Sequence, residues 1–320
     1  MALTPKYLVT GGAGFIGSNL AEELLRQGAR VSIIDNLITG FHENLDEIDG
    51  DFDFVEGDIN DDAALKKAME GCEVIFHEAA LPSVPRSVED PMETHRVCVD
   101  GTLNVLMKAR DAGVRRVVYA ASSSAYGDQP TLPKVETMST EPLSPYAAAK
   151  LTGELYCRAF NSVYGLETIS LRYFNVFGPR QNPSSMYSGV ISRFIDALMT
   201  GKQPVIYGDG EQSRDFTYIA NVVDANIKAA NATKGIGETM NVANGDRITL
   251  NQLFEVLKKI TGRDDAVVQY EDARKGDVKH SQADNQRAIE NFGYQELIGL
   301  EEGLRRTIDW WKGSRFAKAA

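Results

Sequence analysis

Along the first half of the chain, short apolar runs alternate with longer stretches whose apolar residues recur every three to four positions. The runs at 6–10, 30–34, 52–56, 73–76, 116–121 and 168–172 read as buried strands. The stretches at 16–27, 61–70 and 92–111 read as amphipathic helices. Strand and helix in strict alternation predict a parallel sheet covered by helices on both faces. Past about position 178 the alternation breaks up. Pro, Gly and Asn become frequent (FGPRQNPSS, YGDGEQS, NVANGD), and helices at 188–200, 221–231 and 250–260 sit among short strands. The chain thus divides into a sheet domain over 1–177, to which some later segments return, and a smaller C-terminal α/β lobe over 178–320. The final GSRFAKAA reads as a frayed tail.

The 320 residues, 43% hydrophobic and 25% charged, can build a substantial core. A net charge of −11 argues against nonspecific binding to nucleic acid or anionic lipid, so neither is expected as a partner. An anionic substrate would need local positive groups. Cys72, Cys98 and Cys157 are too few and too scattered for a disulfide framework, which fits a reducing compartment. MALTPKYLVTGG lacks the basic start and long apolar stretch of a signal peptide, and no segment approaches the ~20 apolar residues that span a bilayer. A cytoplasmic protein is expected. Asp49, Asp51 and Asp53 mimic the start of a calcium loop, but Phe54 and Asn60 stand where Gly and Glu are needed. His42, His77, His95 and His280 are scattered, and no metal site is expected.

The first strand runs into Gly11-Gly12-Ala13-Gly14-Phe15-Ile16-Gly17 and then into a helix. Glycines here allow a tight turn, close backbone approach to a pyrophosphate and close helix–strand packing, and the helix N-terminus offers N–H groups to the anion. The second strand ends in Asp35, followed by Asn36. A carboxylate there accepts from the ribose hydroxyls of NAD and repels the extra phosphate of NADP. The expected fold is therefore a doubly wound, Rossmann-type parallel sheet with NAD as cofactor. Ligands of such sheets lie beyond the carboxyl ends of the strands, which adds Asp58 and Ile59 after the third strand, and Ala79 and Ala80 after the fourth.

In LSPYAAAKLTGELY, Ser144 reads as a helix N-cap and Pro145 as its first residue. Tyr146 and Lys150 then share one face at i, i+4. A free tyrosine is a poor base at neutral pH. A nearby ammonium and a positive nicotinamide would favour the phenolate. The glycine motif, the AASSSAYGD segment ending in Tyr126-Gly127, and Tyr146-x-x-x-Lys150 resemble the extended short-chain dehydrogenase/reductase family over nearly the whole chain. The resemblance implies a catalytic set of Ser122, Tyr146 and Lys150. Sugar-nucleotide dehydratases of that family carry Asp and Glu at the two positions after the active-site hydroxyl, and these supply the acid and base of elimination. Here they are Ser123 and Ser124, which cannot take up a proton at neutral pH. What remains is reversible hydride transfer at one carbon, as in the 4-epimerases.

The second half is similar to the UDP-sugar 4-epimerases, and most of all to bacterial UDP-N-acetylglucosamine 4-epimerases of surface-polysaccharide pathways. The resemblance implies Tyr173 and Phe174 near the nicotinamide and Asn175 at the UDP diphosphate. It implies Arg214 and Arg274 on phosphate, Tyr207 beside the uracil, Asp277 on the uridine ribose, and Val190 lining the substrate site. Ser83 and Ser124 become candidates to bond the sugar. Ser281 stands where some galactose-type relatives have a tyrosine, and its small size leaves room for an N-acetyl group. Two departures stand out: Cys98 replaces the usual Asn, and Pro82 stands where some galactose epimerases have a lysine. The expected activity is interconversion of UDP-N-acetylglucosamine and UDP-N-acetylgalactosamine. The alternatives are a UDP-glucose or UDP-glucuronate 4-epimerase, with Arg86 as the cation for an acidic sugar, and a non-catalytic binder of NAD and UDP-sugar. A homodimer through helices near 94–111 and 151–164 is also implied.

Overall fold

The structure, a computed structural model, describes residues 4–183, 189–273 and 278–318. In chain order its first half runs β1 (Lys6–Thr10), α1 (Phe15–Arg26), β2 (Arg30–Asp35), α2 (His42–Asp46), β3 (Asp53–Glu56), α3 (Asp62–Met69), β4 (Val74–His77), α4 (Val84–Glu89), α5 (Pro91–His95), α6 (Gly101–Asp111), β5 (Arg116–Ser122), α7 (Pro145–Tyr164) and β6 (Glu167–Tyr173). There follow β7 (Val176–Phe177), α8 (Val190–Thr200), β8 (Val205–Tyr207), β9 (Ser213–Arg214), β10 (Thr217–Tyr218), α9 (Ile219–Asn231), β11 (Thr239–Val242), β12 (Ile248–Thr249), α10 (Leu250–Thr261), β13 (Gln269–Glu271), α11 (Gln286–Phe292), α12 (Leu300–Gly313) and α13 (Arg315–Lys318).

Seven strands form one parallel sheet in the order β3-β2-β1-β4-β5-β6-β11, so the expected doubly wound fold is present. Its strands are near-continuous apolar runs because both faces are covered. All four residues of β4 are buried, and in β5 every residue except Ser122. On one face Val9, Ile33, Phe76 and Val118 meet α1 and α9; on the other Leu8, Ile34, Ile75 and Val117 meet α3, α6 and α7. The first of these cores continues through Phe194, Phe254, Leu257 and Trp311 of the second half. Small paired strands complete that half: β7 with β10, β9 with β12, and β8 with β13.

Strand order reverses between β1 and β4, which opens a crevice at the carboxyl edge of the sheet. The register aligns that edge. Thr10 lies opposite His77, and Ser122 opposite Tyr173.

Two expectations need correction. The stretch 92–111 is not one α-helix: α5 and α6 flank a π-helical turn at Arg96–Asp100. Val97, Cys98 and Val99 are all buried there, and an extra residue in the turn lets three successive side chains face inward. The C-terminal stretch is not a frayed tail as far as Lys318, since α13 restarts the chain after buried Ser314 and Phe316 packs edge-on against Trp310.

Candidate active site

The glycine loop is built by close approach. Gly11 has φ +68°, and a Cβ there would lie 2.8 Å from the Ala79 backbone, while a Cβ on Gly17 would lie 2.3 Å from the Gly11 carbonyl oxygen. The Gly14 N–H donates to that same oxygen at 3.0 Å. Helix α1 starts at Phe15 with no side-chain cap, so the first-turn N–H groups of Phe15, Ile16 and Gly17 are left for a ligand. At the end of β2, Asp35 is 8% exposed and accepts from the Ala13 N–H at 3.0 Å and the Leu37 N–H at 2.8 Å. Burial pushes its pKa up, against those backbone donors. Each carboxylate oxygen keeps a lone pair for a ribose hydroxyl. Asp58 accepts from the Asn36 amide, from Asn60 and from Arg96, and Ile59 is buried beneath it. A cradle that only glycine fits, an uncapped helix start and a fixed carboxylate suit a dinucleotide.

Ser122 closes β5, and α7 carries Tyr146 and Lys150. Ser144 caps α7 by accepting from the Ala147 N–H, with Pro145 in its first turn. The Tyr146 hydroxyl faces Ser122, whose hydroxyl favours the phenolate. Ser122 Oγ lies 2.8 Å from Ser124 Oγ and accepts from the Ser124 N–H at 3.2 Å, so the two serines form one network beside Tyr146. Lys150 is 3% exposed, its Nζ 4.9 Å from the centre of the Tyr119 ring. Burial raises the Tyr146 pKa, with smaller contributions from Cys98 and Glu78, and the Ser122 hydroxyl opposes them. Burial lowers that of Lys150, opposed by Cys98 and Glu78.

Two groups at this edge were not anticipated from the sequence. His77 lies between the Thr10 hydroxyl at 2.8 Å and the Thr102 hydroxyl at 3.0 Å, and burial pushes its pKa down to about 3, so it stays neutral. Glu78 accepts from the Tyr173 hydroxyl at 2.7 Å, and burial pushes its carboxyl up to about 7. Its position directly after a strand, in the segment that lines the crevice, was the available signal. A third pair, Glu154 with Arg172 at 2.7 Å, is buried below Tyr126. Glu154 lies four residues after Lys150 on the same helix, which could have drawn notice.

In the second half, Asn175 adopts φ +35° and donates to the Asp215 carbonyl at 2.9 Å and to Ser281 Oγ at 3.1 Å. Asp215 is fully buried and accepts from the N–H groups of Asn244, Gly245 and Ala283, with its pKa pushed up to about 7 by burial. Arg214 donates to the carbonyls of Ser213 and Lys279. Asn175, Arg214 and Ser281 are thus brought together. Tyr207 forms a separate group with α8: the Arg193 guanidinium lies 5.7 Å from its ring centre, and Val190 opens that helix. Ser83 caps α4 by accepting from the Arg86 N–H, which leaves its O–H to donate elsewhere. Ala79 and Ala80 are half-buried beside the glycine loop. Arg274 and Asp277 lie outside the described residues. Among the described residues no His, Cys, Asp and Glu cluster could hold a metal, and no helix is long and apolar enough to cross a membrane.

The sequence pattern of the NAD-dependent epimerase/dehydratase family matches residues 7–243. The UDP-glucose 4-epimerase of Mycolicibacterium smegmatis is 40% identical, over 95% of this chain and 98% of its own. The UDP-glucuronate 4-epimerase of Thermodesulfobacterium geofontis is 37% identical, over 96% of each chain. Among solved structures, the UDP-N-acetylglucosamine 4-epimerase of Methanobrevibacter ruminantium, in complex with UDP-N-acetylmuramic acid, superposes with a TM-score of 0.92 at 40% identity. That match covers 97% of this chain and 99% of the other.

Proposed function

Because this chain belongs to the NAD-dependent epimerase/dehydratase family, we propose that it interconverts UDP-N-acetylglucosamine and UDP-N-acetylgalactosamine by inversion at C4, through a 4-keto sugar. The observation that carries this reading is the Ser122–Ser124 hydroxyl pair at 2.8 Å facing Tyr146, with buried Lys150 one turn further along the same helix. Bound NAD supplies the acceptor, and later the donor, of the C4 hydride. Tyr146 takes the proton of the C4 hydroxyl and returns it at the end of the cycle. Burial opposes its phenolate and the Ser122 hydroxyl favours it; in this scheme the Lys150 ammonium, one turn away on the same helix face, supplies the charge that makes the base usable. Ser122 orients the sugar oxygen and Ser124 holds Ser122. Neither Ser123 nor Ser124 can act as the base of an elimination.

Asn175 and Arg214 anchor the diphosphate in this scheme, with Arg274 and Asp277 as further uridine-diphosphate contacts and Tyr207 and Val190 as lining. Firm anchoring at the nucleotide lets the keto sugar turn in place. The preference for the acetylated sugar rests on Ser281, whose small side chain beside Asn175 leaves space at the second carbon. The names of two relatives favour UDP-glucose and UDP-glucuronate as second readings. Against an acidic sugar, Arg86 is already paired with Glu93 at 2.8 Å. We also propose a division near residue 178 between cofactor-holding and UDP-holding parts. A homodimer through α6 and α7 is supported by exposed Met107, Leu155, Val163 and Tyr164. Three buried free cysteines fit a cytoplasmic enzyme.

The test is to incubate the purified protein, without added NAD, with each of the three UDP-sugars and resolve the C4 epimers. Conversion of the acetylated sugar supports the full reading. Conversion of UDP-glucose alone removes the argument from Ser281. Absence of conversion with any of them, with NAD supplied and bound, overturns the reading.

A further inference from the structure

Glu78 sits directly after β4 in the crevice, and the proton-transfer scheme makes no use of it. Its carboxylate accepts from the Tyr173 hydroxyl, and the Tyr173 oxygen in turn accepts from the Asn226 amide at 2.8 Å. Asn226, on α9, is fully buried; its amide also donates to the Val222 carbonyl, while its own Oδ1 has no partner. Tyr173 donates to one oxygen of the carboxyl, which seats Glu78 whether the carboxyl is ionised or carries its proton on the other oxygen.

Glu78 follows His77, which lies opposite Tyr119, and the Lys150 Nζ is 4.9 Å from the Tyr119 ring; Tyr173, the partner of Glu78, lies opposite Ser122 and is held by Asn226 of α9. Across the crevice, Tyr146 and Lys150 of α7 are the titratable groups coupled to Glu78. His77, its neighbour in the chain, turns to the opposite face of the sheet toward Thr102 and stays neutral. Lys150 is the cation that favours the ionised carboxyl. In return the carboxylate strengthens proton binding at both Lys150 and Tyr146.

We propose that Glu78 is a positioning residue for proton transfer: its carboxyl, seated by Tyr173 and Asn226, sets the charge balance at Tyr146 and Lys150. The inference rests on the epimerase reading. Ionised Glu78 keeps Lys150 charged but holds the proton on Tyr146 more tightly; neutral Glu78 relaxes both. Its own proton is exchanged with solvent.

Two readouts test this, one of them independent of activity. Glu78→Gln removes the charge with little change of shape, so both limbs of the pH profile of kcat/KM should move to lower pH by about half a unit or more. Tyr173→Phe removes the donor to the carboxylate, keeps Glu78 protonated to higher pH, and should give a smaller shift in the same direction. A residue of merely structural importance would lower the rate or the Tm without moving the profile. In the protein as purified, labelled with [ε-13C]lysine and with the Lys150 signal identified by Lys150→Arg, that signal should titrate at lower pH in Glu78→Gln than in wild type. If Glu78→Gln does not fold, Tyr173→Phe carries both measurements. A displaced Lys150 titration in a protein that epimerises no UDP-sugar leaves the charge coupling standing and removes the epimerase reading. A Lys150 titration unmoved in every variant that folds overturns the proposal, whatever the rate profile does.

Discussion

A methyl group on Gly17 is the sharpest perturbation of the cofactor cradle. The Cβ of Gly17→Ala would lie 2.3 Å from the Gly11 oxygen and 2.7 Å from Gly12 Cα. Both are backbone atoms, so no side chain can rotate away, and relief requires the loop to open by about 1 Å to reach ordinary contact. Overpacking of this kind costs about 1–3 kcal/mol. Alanine returns about 0.5–1 kcal/mol through its better helix propensity, which leaves a net loss of up to about 2.5 kcal/mol. Binding should suffer more. Opening the loop withdraws at least one N–H from a phosphate oxygen, and such charged hydrogen bonds are worth about 1.5–3 kcal/mol, or roughly ten- to a hundredfold in affinity. Gly14→Ala is the control, because its Cβ would lie 3.1 Å from the same oxygen and needs only a small adjustment. The assay is NAD retained per chain after gel filtration, followed by fluorescence titration with NADH and a thermal melt. Gly17→Ala should lose cofactor and Tm clearly, and Gly14→Ala much less. A Gly17→Ala protein that holds NAD within twofold of wild type and melts no lower than Gly14→Ala would refute the close-approach argument.

Three further outcomes follow from the site and its supports. Glu154→Ala leaves the Arg172 guanidinium buried without its partner and should cost about 3–5 kcal/mol in urea denaturation. Ser281→Tyr should lower kcat/KM for UDP-N-acetylglucosamine more than about tenfold relative to UDP-glucose, since it fills the space proposed for the acetyl group while leaving the hydride step alone. Asp215 has a folded pKa raised to about 7, so its contribution to stability is fully present below its unfolded value near 4 and is lost as pH rises through 7. Asp215→Asn abolishes that dependence. Its stability relative to wild type should therefore improve from pH 4 to pH 8, by up to about 4 kcal/mol, on top of a pH-independent loss from its weaker acceptance of the Asn244, Gly245 and Ala283 N–H groups.

Local patterns with strong physical causes were legible in the sequence. Strands buried on both faces must be apolar throughout, which made β1, β2, β4 and β5 visible as runs. The glycine loop was visible because only glycine tolerates the approach of Ala79 to Gly11 and of Gly11 to Gly17. Ser144, Pro145 and the four-residue spacing of Tyr146 and Lys150 announced the start of α7 and placed both side chains on one face of it. The rest depended on partners distant along the chain. Glu78 meets Tyr173 across 95 positions, and Asp215 gathers N–H groups from 29 to 68 positions away. No local pattern marks such a carboxylate as buried rather than solvated. The π turn at Cys98 was hidden for a related reason: its apolar spacing also fits an ordinary helix, and only packing against α7 and the segment after β4 shows three successive residues facing inward.

The most direct test of the central claim follows the C4 hydrogen. UDP-N-acetylglucosamine deuterated at C4 is incubated with the purified protein in ordinary water, and the epimer formed is examined by mass spectrometry and proton NMR. If Tyr146 handles only the hydroxyl proton and the C4 hydrogen returns within the site, UDP-N-acetylgalactosamine forms with its deuterium retained at C4. Product that carries solvent hydrogen at C4 would contradict the account.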